Sequence, residues 1–251
     1  MGAAEGPSGD LFGDMPNASG AWPVLDVLKG LSVRVVRPMP PLSPAVERQV
    51  GRLWQEACEI RPLFNGQVFC ADSVAPDIIT GHWTEYRRVV AQMADPALIP
   101  ILRVRSLAVC GAVTGPGGVA VARRNARSVY QAGLWQLPPA GSVDGGSADG
   151  AIADIRHALL AELREELGVA AGAVRSLRPL CLVQHPSGVL DLGIQVSVAM
   201  DQADLLAAHR VGGNDEYDRL LVVPPASVPA AVRAAGGTLV PSALAFLGRL
   251  S

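Results

Sequence analysis

The chain has 251 residues, of which 49% are hydrophobic and only 4% aromatic, and its formal net charge is -2. Such a chain can build a substantial core from many small side chains, but it lacks the basic footprint of a nucleic-acid binder. No apolar run reaches the roughly 18 residues that span a bilayer, so neither nucleic acid nor membrane is an expected partner.

The first 22 residues are rich in Gly, Ala, Pro and Ser and lack periodicity, which predicts a disordered tail over 1–22. Glu5, Asp10 and Asp14 fall where a secretory signal would carry basic residues, so no leader is expected. Val33 and Val35 alternating with Arg34 predict a strand. Ser43, Pro44 and Glu47 open a helix running to about Ile60. Asn65-Gly66 turns the chain into a strand, 77–83 is a second one, and Thr84 is expected to cap a helix carrying Tyr86, Arg87 and Arg88. These elements make a small α+β extension over 23–100.

A long apolar strand is expected from Ile101, with the glycines at 115 to 118 turning it into a partner that ends at Arg123 and Arg124. Beyond the central loop and helix come two strands, SLRPLCLVQ and LDLGIQVSVAM, split by the turn HPSG. A short helix over 201–208, a loop holding Asp215 and Glu216, the strand LLVV and a helix after Pro241 complete the order. Cys58, Cys70, Cys110 and Cys181 have no Cys-x-x-Cys or nearby histidine pair, which points to core thiols in a reducing, cytoplasmic setting.

The chemistry concentrates between Leu137 and Val169, where a Pro/Gly-rich loop feeds a helix with three glutamates in five residues. At 100° per residue, Glu162, Glu165 and Glu166 share one arc, while Ile152, Ile155, Leu159, Leu163 and Leu167 form the apolar stripe. Glu166 projects between Ile155 and Leu159, and a carboxylate on the core side is costly unless a cation meets it. The competing reading is a solvated acidic face partnered by Arg164. Clustering, core-edge placement and the loop together favour a metal site. Carboxylates are hard oxygen ligands, so the expected ion is Mg²⁺, with Mn²⁺ as the alternative, and the matching substrate group is a diphosphate.

Residues 162–169, ELREELGV, resemble the tail of the Nudix hydrolase box, and Pro139 to Asp144 resemble its opening loop. Two positions depart: Ala161 stands where the family has arginine and Ser147 where it has glutamate, with thirteen residues between them instead of seven. In the family those two commonly brace the loop on the helix, so a longer loop or extra turn is expected here, with Asp149 or Asp154 as stand-ins.

The resemblance implies an α/β/α sandwich with a mixed sheet over 101–251. It implies that the Gly141 carbonyl joins Glu162, Glu165 and Glu166 at the metal, and that the general base is one of Glu165, Glu166 and Glu216. It also suggests phosphate contacts from Arg123 and Arg124 and a wall from Trp135. Phe64, Asn65 and Gly66, with the helix bearing Arg87, resemble the front of Nudix enzymes that hydrolyse UDP-sugars. The implied activity is metal-dependent cleavage of a nucleoside diphosphate linked to another group, a nucleotide-sugar first. The alternative is a Nudix-like module that binds a nucleotide without cutting it. The partner is a small-molecule diphosphate, and the extension offers a possible homodimer surface.

Overall fold

A computed structural model describes residues 22–60, 62–128 and 130–250. The tail expected over 1–22 lies, apart from Trp22, outside the described residues. In chain order the first half comprises β1 (Val24–Asp26), β2 (Ser32–Val35), α1 (Pro44–Ile60), β3 (Gln67–Val74), β4 (Ile78–Glu85), α2 (Tyr86–Ala94) and α3 (Ile99–Leu102). Then come β5 (Leu107–Gly115), β6 (Gly118–Arg124), β7 (Trp135–Gln136), β8 (Ala140–Ser142), β9 (Ala148–Asp149), β10 (Ile152–Ala153) and α4 (Ile155–Leu167). The last third holds β11 (Val174–Gln184), β12 (Leu190–Val198), α5 (Gln202–Gly212), β13 (Tyr217–Val223), α6 (Val228–Ala234) and α7 (Pro241–Leu247).

The architecture is α/β. One sheet runs β1-β11-β12-β5-β6-β13, with β7 on β6 and β8 on β5; the second runs β3-β4-β2-β10-β9. Both are mixed, because β12 lies parallel to β5 and β2 parallel to β4 while their other pairings are antiparallel. The front of the chain is woven into the rest: β1 pairs with β11, and β2 pairs with β10.

Alternation along the strands divides the core. Leu107, Val109 and Val113 of β5 join Leu190, Leu192 and Ile194 of β12 in one cluster with Phe69, Ile79, Leu159, Leu163 and Leu167. Cys110 and Ala112 face the opposite cluster with Trp135, Val228, Val232 and Phe246. Burial on both faces is why these strands read as near-continuous apolar runs.

β5 and β6 pair only next to their hairpin, at Thr114 with Val119 and Gly115 with Gly118. Beyond that they part; β8 takes the edge of β5 and β7 the edge of β6. This split sets the position of the site.

The order of elements follows the sequence closely, with local corrections. The strand expected from Ile101 begins at Leu107, after a helical turn that ends at Arg103 with φ 49°. Thr84 belongs to β4 and is buried, so it does not cap α2; Glu85 takes the N-cap position without a side-chain bond. Ile152 is not on the glutamate helix: it pairs with Arg34 of β2 and is 48% exposed. The loop insertion is a small β-ribbon, β9–β10, added to the second sheet. Ser147 is buried and bonds Asp144, while Asp154 caps α4 by accepting from the backbone N–H groups of Arg156 and His157. Asp149 stays exposed. Among the described residues no helix is long and apolar enough to cross a membrane.

Candidate active site

A cavity of about 340 Å³ opens where β5 and β6 part, within the range of small-molecule sites, roughly 300–1,000 Å³. Ala108 and Cys110 of β5 and Asp191 of β12 line its floor. Ala140, Gly141 and Ser142 of β8, together with Glu162 and Glu166 of α4, form one wall.

Helix α4 starts at the Asp154 cap and stops at Gly168, whose φ of 66° is the left-handed end favoured by glycine. Its Leu159, Leu163 and Leu167 are buried in the core, which fixes the rotation of the helix and turns Glu162 and Glu166 to the cavity. Glu166 is 3% exposed. Its Oε2 accepts from the Ala140 N–H at 2.9 Å and from the Tyr217 hydroxyl at 2.8 Å, and that hydroxyl accepts from Gln136 Nε2 at 2.7 Å. This buried chain of donors orients the carboxylate. A Cβ at residue 141 would overlap the Glu162 carboxylate, so glycine there lets backbone and acid meet.

The charges of this wall are poorly offset. Burial, then the charges of Glu165, Asp144 and Glu216, push the Glu162 carboxyl up to about 7. Burial and the neighbouring Glu162 push Glu166 up to about 8, even though Tyr217 and Ala140 donate to it. Arg124 acts in the opposite sense on Glu162. Its guanidinium is bonded to Glu216, whose loop is held by Asn214 Oδ1 accepting from the Glu216 N–H and by the Asn125 N–H on the Glu216 carbonyl.

Mutually repelling buried carboxylates beside a backbone loop suit a hard divalent cation, which would offset the charge that burial penalises. Among the described residues, no group of three or more Asp, Glu, His or Cys side chains converges as a ready-made metal cage. The fit therefore rests on Glu162, Glu166 and nearby backbone oxygen.

Of the residues singled out in the sequence, Gly141, Glu162, Glu166, Glu216 and Arg124 all line the cavity. Glu165 is exposed on the outer side of α4, near enough to raise Glu162. Three expected substrate contacts lie elsewhere. Arg87 is held by Glu85 and Glu47. Arg123 forms a surface pair with Asp218 at 2.7 Å, because it points away from its neighbour Arg124 along the strand. Trp135 is fully buried in the second core cluster and is not a wall.

Sequence alone does not mark Gln136, Tyr217 and Asp191, all buried and all polar at their tips. Asp191 left one signal, an acid inside the apolar run LDLGI. Gln136 and Tyr217 left none, since their roles arise from a contact across 81 positions of the chain.

No family model matches this chain, and no curated protein matches it. Solved structures similar to it include a protein from Deinococcus radiodurans, 16% identical over 74% of this chain and 99% of that one, with a TM-score of 0.49. A MutT Nudix hydrolase from Burkholderia pseudomallei is 21% identical over 58% of this chain and 98% of its own, with a TM-score of 0.42. The Nudix domain of Shewanella oneidensis NrtR, complexed with ADP ribose, is 16% identical over 58% of this chain and 86% of its own, also with a TM-score of 0.42.

Proposed function

We propose that the protein is a Nudix-type pyrophosphohydrolase that uses Mg²⁺ or Mn²⁺ to cleave the diphosphate of a nucleoside diphosphate linked to another group, a nucleotide-sugar first. One observation carries the reading: Glu162 and Glu166, spaced as in the Nudix box, stand together on a cavity wall against the loop at Gly141. These carboxylates and the Gly141 carbonyl are the groups that would hold the cation, with Glu165 adding charge from outside. When bound, the cation supplies positive charge for the diphosphate oxygens and lowers the pKa of water.

The remaining work falls to the chain's own residues. Tyr217 and Ala140 fix one oxygen of Glu166, leaving the other for the cavity. Arg124 presents a cation to bind the substrate's phosphate. Glu166 or Glu216 takes the proton of the attacking water. Four free cysteines support a cytoplasmic setting.

A nucleotide-binding module without turnover is the second reading. It is favoured by the absence of three convergent carboxylates among the described residues and by Ala161 and Ser147 in the box. Nucleotide and phosphate release from UDP-, ADP-, GDP- and CDP-linked compounds, with Mg²⁺, Mn²⁺ or EDTA, separates the two. Cleavage that EDTA abolishes is the expected result. Tight nucleotide binding with no cleavage of any compound under any metal would replace the hydrolase by the module.

A further inference from the structure

The mechanism above leaves one buried acid of the cavity unused. Asp191 is 4% exposed, deeper than a carboxylate is placed without a partner. Strand alternation explains its direction: Leu190 and Leu192 enter the first core cluster, so Asp191 faces the cavity floor. Its neighbours there are neutral donors, the Ser242 hydroxyl and the Cys110 thiol. Arg124 is the cation whose charge reaches it, and that guanidinium is already bonded to Glu216. A carboxylate offers about four acceptor positions, so acceptor capacity remains directed at the cavity.

The surroundings of Asp191 suit a flat, neutral, polar ring. Phe246 of α7 lies over Gly193, the next residue on that face of β12, where a Cβ would strike its ring. Tyr86, Val89 and Met93 add apolar lining. Gln131 also lines the cavity; its amide meets the Tyr130 hydroxyl, and its buried Nε2 carries a second N–H to offer a ligand. The adjacent Tyr130 feels the charge of Asp191, so this loop stands near the acid. An acceptor carboxylate beside an amide donor is the complement of a ring edge that carries N–H groups next to a carbonyl.

We propose that Asp191 is the specificity-determining acceptor for the nucleobase of the substrate, and that with Gln131 it selects a guanine-type edge. Two N–H groups of that edge would meet the carboxylate and its carbonyl would meet the Gln131 amide. Adenine and cytosine present an amino group without the paired imino N–H, and uracil sets a carbonyl on each side of its single N–H, where it meets a carboxylate oxygen. This inference rests on the nucleoside diphosphate reading above and deepens it, turning the choice of base away from uridine.

The test uses the full chain with Mg²⁺ and the α,β-methylene diphosphates of guanosine, adenosine, cytidine and uridine, which retain both phosphates but resist cleavage between them. Calorimetry gives the four affinities. The native protein is expected to bind the guanosine compound at least about tenfold more tightly than the uridine compound, the discrimination of one bidentate pair. Asp191→Asn, which replaces one acceptor oxygen by a donor, is expected to remove that preference and leave uridine affinity within about threefold. Gln131→Ala, in the loop between β6 and β7, is expected to reduce it in the same direction, and serves if Asp191→Asn fails to fold. An absence of base preference in the native protein, or an equal loss for all four compounds in both variants, would overturn the proposal. Hydrolysis is read separately: turnover without base preference removes this inference and leaves the hydrolase, whereas base preference without turnover does the reverse.

Discussion

On the α4 wall of the cavity Glu162 and Glu166 sit within each other's field, whereas on β12 Asp191 stands apart among a hydroxyl, a thiol and the field of one arginine. All three are pushed up by burial, but only the first two are pushed further by neighbouring carboxylates, Glu162 by Glu165, Asp144 and Glu216, and Glu166 by Glu162. Pooled negative charge in a low-dielectric wall is relieved by a cation. A lone carboxylate eased by neutral donors is completed by neutral N–H groups. In the proposed reading one cavity has a phosphate-and-metal end and a recognition end, and each can be broken without the other.

The largest effect is expected at the first end. Glu166→Gln keeps an acceptor for the Ala140 N–H, so the fold should survive, while kcat should fall by at least about a hundredfold. Steady-state kinetics beside a melting curve check this; near-native turnover would take Glu166 out of the chemistry. Tyr217→Phe should act less strongly. Losing the hydroxyl that orients Glu166 is expected to weaken Mn²⁺ binding roughly ten- to a hundredfold, the usual range for a residue that holds a ligand in place. Titration followed by electron paramagnetic resonance gives the affinity, and an unchanged value would reduce Tyr217 to packing.

Protonation sharpens the contrast in the metal-free protein. Carboxyls raised to about 7 and about 8 hold protons in the folded state that the unfolded chain releases near its ordinary range. Their stabilising contribution is complete below that range and is lost as pH rises to about 8. The melting temperature in EDTA should therefore fall between pH 5 and pH 8, and Mg²⁺ should restore it most at the upper end. A flat profile would show that these acids are not strained by burial. The smallest effect is expected at Arg123→Ala: its surface pair with Asp218 lies outside the cavity, so kcat/KM and melting should match the native protein.

The two ends also differ in how far the sequence announced them. The proposed metal end is local: Glu162, Glu165 and Glu166 lie within five residues, and helical periodicity places all three on one arc with Glu166 at the core edge. The order of strands and helices was legible for the same reason, through alternation, caps and turns. What escaped depends on partners far away in the chain. The insertion became a ribbon because β2 was available to pair with it, and the Pro- and Ala-rich stretch at Val228–Ala234 formed α6 against the second core cluster. Trp135 went to the core because Val228 and Val232 of α6 and Ala243 and Phe246 of α7 share one cluster with it there. Arg124 and Arg123, adjacent in sequence, parted to opposite sides of one strand. Asp191 needed β5 and α7 to give it a cavity and a donor before its burial made chemical sense.

In the proposed reading Glu162 and Glu166 together hold a divalent cation beside the diphosphate. The most direct test is Mn²⁺ binding to the native protein and to a Glu162→Gln, Glu166→Gln double variant, measured by electron paramagnetic resonance with and without a cleavage-resistant nucleoside diphosphate. Saturable binding is expected in the native protein, tightened by the nucleotide, and its loss in the double variant. Equal Mn²⁺ binding by both proteins would contradict it.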